Sequence, residues 1–323
     1  MDARAWPGAV ALSGGGDSVA LMRLLAQWAK KREKPIALIV DHGLRKGSAK
    51  DAKQAAIWAR DAGLAAHVLT WKGKKPSADV EAAARHARYR LMGEWCVGHG
   101  VRFLYLAHTL EDQAETFLLR LARGSGLDGL SAMRPRAPYP LPGFDVALVR
   151  PLLGFTRAEL RGYLKARRQA WLEDPMNDEP RFARVKLRQA AAELARLGLT
   201  PQRLAQAASH LARARDALDD AMQTWLSQGC RFEGEGARLD AASLAKLPRE
   251  VGLRALAHVL SHVSGQAYRP RFERLERLYG SLGAAATLHG CRIGPAPRRD
   301  AIFGPSTLTI VREAKRQPKR PLY

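Results

Sequence analysis

The sequence predicts an α/β fold: an open parallel sheet of about five strands with helices on both faces, then a smaller, mainly helical C-terminal domain. Three observations carry this. Five short apolar runs, at 9–12, 36–40, 66–71, 103–107 and 146–149, alternate with stretches of helical period. The first, second and fourth runs pass directly into polar residues, as buried parallel strands do where their carboxyl ends meet a ligand crevice. From Thr200 onward the spacing becomes that of long amphipathic helices. At 323 residues the chain has length for two cores, here divided at 1–197 and 198–323.

The first run, Ala9-Val10-Ala11-Leu12, leads into Ser13-Gly14-Gly15-Gly16-Asp17-Ser18, and helical spacing begins at Val19. Three glycines allow a sharp turn and close approach of a ligand, and Ser18 is the expected helix cap. The free amides and positive dipole end of the new helix favour an anion such as a nucleotide phosphate. The competing explanation of so short a motif is a glycine-rich strand-to-helix turn that binds nothing. It lacks the Lys-Ser or Lys-Thr of a Walker loop and the Gly-x-Gly-x-x-Gly of dinucleotide folds, which excludes both classes.

The second run ends at Asp41 and His42, where the adenosine half of a nucleotide would lie, although His42 also suits a turn. A helix over 48–62 has Ser48 as its expected cap. After the third run, Lys72-Gly73-Lys74-Lys75 makes a basic loop suited to solubility or to a phosphate contact. A helix over 79–99 carries Glu81, Arg85, Arg88 and Tyr89. The fourth run then turns into a helix through His108-Thr109-Leu110-Glu111-Asp112-Gln113-Ala114-Glu115. Thr109 and Asp112 form a capping box, which explains one or two carboxylates in this first turn. His108, Glu111, Asp112 and Glu115 together exceed that need, and their crowding calls for a cation or a basic ligand.

Arg123-Gly124-Ser125-Gly126 ends this helix in a glycine loop, and Pro135, Pro138, Pro140 and Pro142 interrupt the chain before the fifth run. Thr156 and Glu159 open a capped helix. Arg184 and Arg188 share one face of the next, where they can grip phosphate or simply be solvated. In the second domain a helix spans 200–226, a helix over 249–262 alternates apolar and basic positions, and Tyr268 to Leu275 mixes arginine with aromatic residues. Residues 287–293 and 308–313 read as a closing pair of strands, followed by a basic tail.

The formal charge of +22, from 53 basic and 31 acidic residues, points to a large polyanion, with nucleic acid favoured over membrane. No run reaches the roughly 20 apolar residues of a spanning helix, and the start has no secretion signal. Cys96, Cys230 and Cys291 are scattered, which speaks for buried thiols in a reducing cytoplasm rather than for disulfides or a metal cluster.

Taken together, Ser13-Gly14-Gly15-x-Asp17-Ser18, Asp41-His42-Gly43-Leu44-Arg45 and His108-Thr109-x-x-Asp112-Gln113-x-Glu115-Thr116 resemble the tRNA(Ile)-lysidine synthetase branch of the PP-loop ATP pyrophosphatases. Glu81, Arg85, Arg88, Tyr89, the stretch Arg123 to Leu127 and Arg150-Pro151-Leu152-Leu153 extend the resemblance over most of residues 9–190. It implies an ATP-binding adenylation domain over 1–197 and a helical tRNA-binding domain over 198–323. It also implies ATP and Mg2+ as cofactors, with a CAU-anticodon tRNA(Ile) and free L-lysine as partners. Carried over position by position, Asp17, Asp112 and Arg184 are the catalytic candidates, with Asp17 and Asp112 beside the metal. Ser13, Gly14, Gly15, Gly16, Asp17, Ser18, Asp41, His42 and His108 are assigned to ATP. Arg85, Glu115, Arg123, Gly124, Ser125, Gly126 and Arg188 are assigned to the substrates.

Asp174 and Asn177 also match, whereas Val185 and Met176 replace an asparagine and a small hydroxyl residue of the family pattern. Two other readings compete: a PP-loop tRNA thiolase, opposed by the isolated cysteines, and a noncatalytic RNA-binding protein, opposed by the intact loop and Asp112. Oligomeric state, a homodimer included, stays open.

Overall fold

The computed structural model describes residues 8–29, 33–73, 75–173, 183–266 and 268–313. The chain divides into two compact units, Met1–Ala212 and Arg213–Tyr323.

The N-terminal unit alternates strand and helix from the start: β1 (Ala9–Ala11), α1 (Gly16–Trp28), β2 (Ile36–Asp41), α2 (Ser48–Asp61), β3 (Ala66–Thr70), α3 (Val80–Gly98), β4 (Phe103–Tyr105) and α4 (Leu110–Leu121). It continues with α5 (Leu127–Leu130), β5 (Arg136–Pro138), β6 (Ala147–Val149), α6 (Arg157–Ala166), α7 (Ala183–Gln189) and α8 (Ala191–Arg196). The strand order is β3-β2-β1-β4-β6-β5, parallel except for β5, which pairs antiparallel to β6. The sheet therefore has six strands, one more than the apolar runs indicate. The additional strand comes from the proline-interrupted stretch, and an edge is where a sheet tolerates Pro138.

Side chains alternate between two cores, which is why these strands read as continuous apolar runs. Val10, Ile39 and Tyr105 pack with Leu21 and Leu25 of α1, Ala55 and Ala59 of α2, and Leu160 and Leu164 of α6. Ala9, Leu38, Leu104 and Leu148 pack with Tyr89, Met92 and Cys96 of α3. Strand order reverses between β1 and β4, so the loops after these two strands diverge and open a crevice at their carboxyl ends.

Two expected caps differ. The N-cap of α1 is Gly15, and Ser18 lies inside the first turn. The N-cap of α2 is Gly47, while the Ser48 hydroxyl donates to Asp41 Oδ1 at 2.7 Å. The capping boxes Thr109/Asp112 and Thr156/Glu159 are both formed.

Gly14 has φ of +88°, and a Cβ there would stand 2.6 Å from Leu172 Cδ1. Gly14→Ala is therefore expected to destabilise the N-terminal unit by about 1–3 kcal/mol, read as a lowered urea midpoint.

The C-terminal unit contains the end of α9 (Pro201–Gly229), then β7 (Cys230–Glu233), β8 (Gly236–Asp240), α10 (Ala241–Ala245), α11 (Arg249–Ser264) and α12 (Phe272–Gly280). It closes with β9 (Ala286–Leu288), β10 (Cys291–Pro295) and β11 (Thr307–Arg312). Its helices are joined by a five-stranded antiparallel sheet, β7-β8-β11-β10-β9, of which the sequence predicts only a closing pair. The stretch read as the first member of that pair is itself a hairpin. Its turn residues His289 and Gly290 both have positive φ, 57° and 70°, as a two-residue hairpin turn requires. Helix α11 is buried nearly all round, and Leu256, Val259 and Leu260 share a core with Ala237, Leu239, Ile293, Leu308 and Ile310. One of its basic positions, Arg254, is buried too, paired with Asp219 and Glu250 at 2.9 Å each.

Candidate active site

The phosphate loop is set between β1 and α1 and held from both sides. The Ser18 hydroxyl donates to Gly15 C=O at 2.9 Å and accepts the Ser13 N–H at 3.2 Å. Leu172 N–H donates to Gly14 C=O at 2.9 Å, and Gly16 lies against the Trp171 indole. Amides of the first helical turn have no intrahelical acceptor, so this pre-set loop presents donors and a positive dipole end to an anion.

Across the crevice, the capping box of α4 aims Asp112. Its Oδ2 accepts from Thr109 N–H at 2.9 Å and from the Thr109 hydroxyl at 3.2 Å, while Oδ1 accepts from Arg157 Nη2 at 2.6 Å. Glu115 lies three residues on, hence on the same helix face. Its Oε1 accepts from Arg157 Nη1 at 3.0 Å and from Arg188 Nε at 2.8 Å. Arg184 stands 4.0 Å from both Asp112 and Glu115. Arg157 Nε reaches to 3.6 Å from Asp17 Oδ2, which joins the phosphate loop to the same network. Asp17, Asp112, Glu115, Arg184 and Arg188, expected separately from sequence, thus converge.

Arg157 was not among the expected residues. A signal for it existed: it occupies the first position of α6, where a cation opposes the helix dipole and needs carboxylates nearby. Those carboxylates are on α4, and Glu111 accepts the Arg157 backbone N–H at 3.1 Å with each of its oxygens.

Burial pushes the Asp17 carboxyl up, and Arg157 offsets this only in part. For Asp112 burial acts in the same upward sense, but Arg157 and the Thr109 N–H outweigh it and hold the carboxyl below its ordinary value. Burial lowers Arg157, yet Asp112 and Glu115 more than restore it, so its charge is secure. Burial also lowers the His108 imidazole to about 4, assisted by Arg150, Arg85 and Arg184 and opposed by Asp112.

His108 is therefore neutral at pH 7 at the end of β4, and its Nδ1 is buried without a hydrogen-bond partner. Because the unfolded chain takes up this proton first, stability is expected to fall as pH drops from about 6.5 towards 4, by up to about 1.4 kcal/mol per pH unit. His108→Gln should flatten that slope in urea titrations across the range.

The remaining expected residues are placed as follows. Asp41 and His42 stand at the end of β2 and shape its turn: Asp41 Oδ1 accepts from Gly43 N–H and His42 Nδ1 from Leu44 N–H, each at 3.1 Å. Arg85 Nη2 lies 3.5 Å from the Tyr89 hydroxyl. Arg123, Gly124, Ser125 and Gly126 follow the far end of α4, which lies about 14 Å of helix rise from Asp112. Lys75 turns back onto Trp71, with Nζ 4.1 Å from the ring centroid, instead of standing out as an anion contact. Asp174, Met176 and Asn177 lie outside the described residues, and Val185 is buried.

Among the described residues no group of three His, Cys, Asp or Glu side chains is arranged to hold a metal alone. Magnesium does not need one, since it commonly uses one or two carboxylates with substrate phosphates and water. Asp17 fits that requirement: it flanks the phosphate loop, and its carboxyl is left short of positive charge.

Residues 4–194 match the PP-loop domain family. The chain is 42% identical over 295 residues to the tRNA(Ile)-lysidine synthase of Ruegeria pomeroyi, covering 90% of this chain and 69% of that one. This chain belongs to the tRNA(Ile)-lysidine synthase family. The lysidine synthase of Wolbachia pipientis wMel is 35% identical over 317 residues, covering 95% of this chain and 71% of its own. The fold also resembles the U34-tRNA thiolase NcsA of Methanococcus maripaludis, at a TM-score of 0.52 and 17% identity, covering 64% of this chain and 72% of that one. Within the lysidine synthase family, the shared architecture with a thiolase reflects the PP-loop fold alone. The three cysteines here are buried and free, and burial raises the Cys96 thiol to about 12 and Cys230 to about 11.

Proposed function

We propose that the protein joins free L-lysine to carbon two of the wobble cytidine of a CAU-anticodon tRNA(Ile), forming lysidine and converting ATP to AMP and pyrophosphate. The observation that carries this reading is that Asp17 of the phosphate loop shares one ion network with Asp112, Glu115, Arg184 and Arg188. Family membership supplies the reaction, and this network supplies the parts.

In the first step the cytosine O2 attacks the α-phosphorus of ATP, the bond to the bridging oxygen breaks, and pyrophosphate leaves. The amides of residues 14–18 hold that leaving group, and Arg184 offsets phosphate charge as it develops. Asp17 would hold magnesium, which would supply further neutralisation of the phosphate charge. In the second step the lysine ε-amine bonds to C2 and AMP departs with the former O2. The amine must arrive or become neutral, and its proton passes to Asp112 or Glu115. The net charge of +22, and exposed Tyr268 and Phe272 among the arginines of the C-terminal unit, support RNA as the macromolecular partner. No described helix is long and apolar enough to cross a membrane, and the reading places the enzyme in the reducing cytoplasm with its free thiols.

Incubation with ATP, Mg2+, radiolabelled lysine and the tRNA transcript tests the proposal. Label should enter RNA only when ATP is present. A requirement for cysteine as sulfur donor, with no lysine incorporated, would contradict it.

A further inference from the structure

We propose that Arg157 is a positioning residue whose guanidinium holds the cation subsite at Asp112 and yields it to the cation of the reaction. Both oxygens of Asp112 are committed. Oδ2 closes the capping box with Thr109, an interaction that starts α4, whereas Oδ1 is held by Arg157 Nη2 at 2.6 Å. Oδ1 keeps a second lone pair, but a metal ion or ammonium group placed there stands beside the Arg157 guanidinium and is repelled by it, so a cation that engages Asp112 without undoing the helix competes with Arg157.

The surroundings allow that exchange at small cost. Glu115 keeps Arg188, at 2.8 Å, when Arg157 withdraws. Asp17 stands 3.6 Å from Arg157 Nε, and the cation that displaces the guanidinium restores positive charge beside it. The backbone of Arg157 stays anchored, its N–H bonded to Glu111, so the exchange requires only a change of side-chain torsions. An arriving nucleotide supplies the released guanidinium with another partner, because its fork of donors pairs bidentately with phosphate. Until then Arg157 keeps buried Asp112 and Glu115 from facing each other uncompensated. The arginine thus makes occupation of the cation subsite depend on a phosphate ligand being present to take it.

The inference rests on the proposed lysidine reaction only for the identity of the cation, either the divalent metal or the lysine ammonium. It is tested on free protein without RNA, so failure to form lysidine would overturn the proposed function and leave this inference standing. Binding of Mn2+ is followed by electron paramagnetic resonance, and binding of L-lysine by calorimetry. The proteins are the wild type, Arg157→Met, Asp112→Asn and the double variant.

At least one of the two ligands should bind roughly tenfold tighter to Arg157→Met, with the gain abolished in the double variant. A gain for Mn2+ alone identifies the metal as the displacing cation, and a gain for lysine alone identifies the ammonium. No gain for either ligand overturns the proposal. So does a gain that survives Asp112→Asn, since removal of a positive charge near Asp17 would then explain it. Should Arg157→Met not fold, Arg157→Lys replaces it. A compact ammonium does not bridge Asp112 and Glu115 as the guanidinium fork does, so a severalfold gain is expected there, and unchanged binding overturns the proposal.

Discussion

Asp17→Ala is expected to lower ATP-dependent pyrophosphate release by at least about a hundredfold while RNA binding stays close to wild type. The carboxylate belongs to the first turn of α1 beside the phosphate loop and is the network's link to Arg157. Removing it deletes the group best suited to a phosphate-bound cation but leaves the loop's own contacts, Ser18 to Gly15 and Leu172 to Gly14, in place. The sign of its pKa displacement adds a second expectation. Burial raises the folded-state value, so its favourable contribution is present below the unfolded value and is lost as pH rises through the folded one. Asp17→Asn should therefore be more stable than wild type at pH 7, with the advantage vanishing near pH 4. Equal loss of pyrophosphate release and RNA binding, with a less stable fold, would assign Asp17 to architecture.

The second large effect is expected at Glu115, which is 6% exposed and accepts from two guanidiniums. Glu115→Ala leaves Arg157 without one of its partners in a mostly buried position, a situation that costs about 3–5 kcal/mol when the ion is deeply buried. Arg188 is 35% exposed and can turn to water, so most of the loss belongs to Arg157. Urea unfolding monitored by circular dichroism should show this loss. Arg188→Ala should cost much less, since Glu115 retains Arg157. If the two variants were equally stable, Glu115 would not organise the arginines.

What was legible in the sequence follows from these same contacts. The parallel strands could be read because both faces are buried, so Ala9-Val10-Ala11 and Ile36 to Val40 are apolar without alternation. Strand β5 could not, because Pro135 and Pro138 announce a break, and only pairing to β6 at an edge makes a strand of that segment. In the C-terminal unit, β7 carries Arg231, Phe232 and Glu233, all exposed, and so offers no apolar run to find. The site acids were visible because His108 to Glu115 concentrates more charge than a helix start requires. Arg157 was hidden behind Thr156 and Glu159, whose capping box gives its neighbourhood a complete local explanation, and its partners lie 42 and 45 residues away in sequence. Ser18 had the right chemistry for a cap but sits inside the turn, where its hydroxyl fastens the loop instead.

Nucleoside mass spectrometry of tRNA(Ile) treated with the protein, ATP, Mg2+ and isotopically labelled lysine distinguishes lysidine formation from thiolation and from idle ATP cleavage. The wobble cytidine alone is expected to gain the mass of one lysine less one water and to carry the label, while a methionine tRNA with the same anticodon, assayed beside it, stays unmodified. A wobble base that exchanges oxygen for sulfur, or that remains unmodified while ATP is cleaved, would contradict lysidine formation.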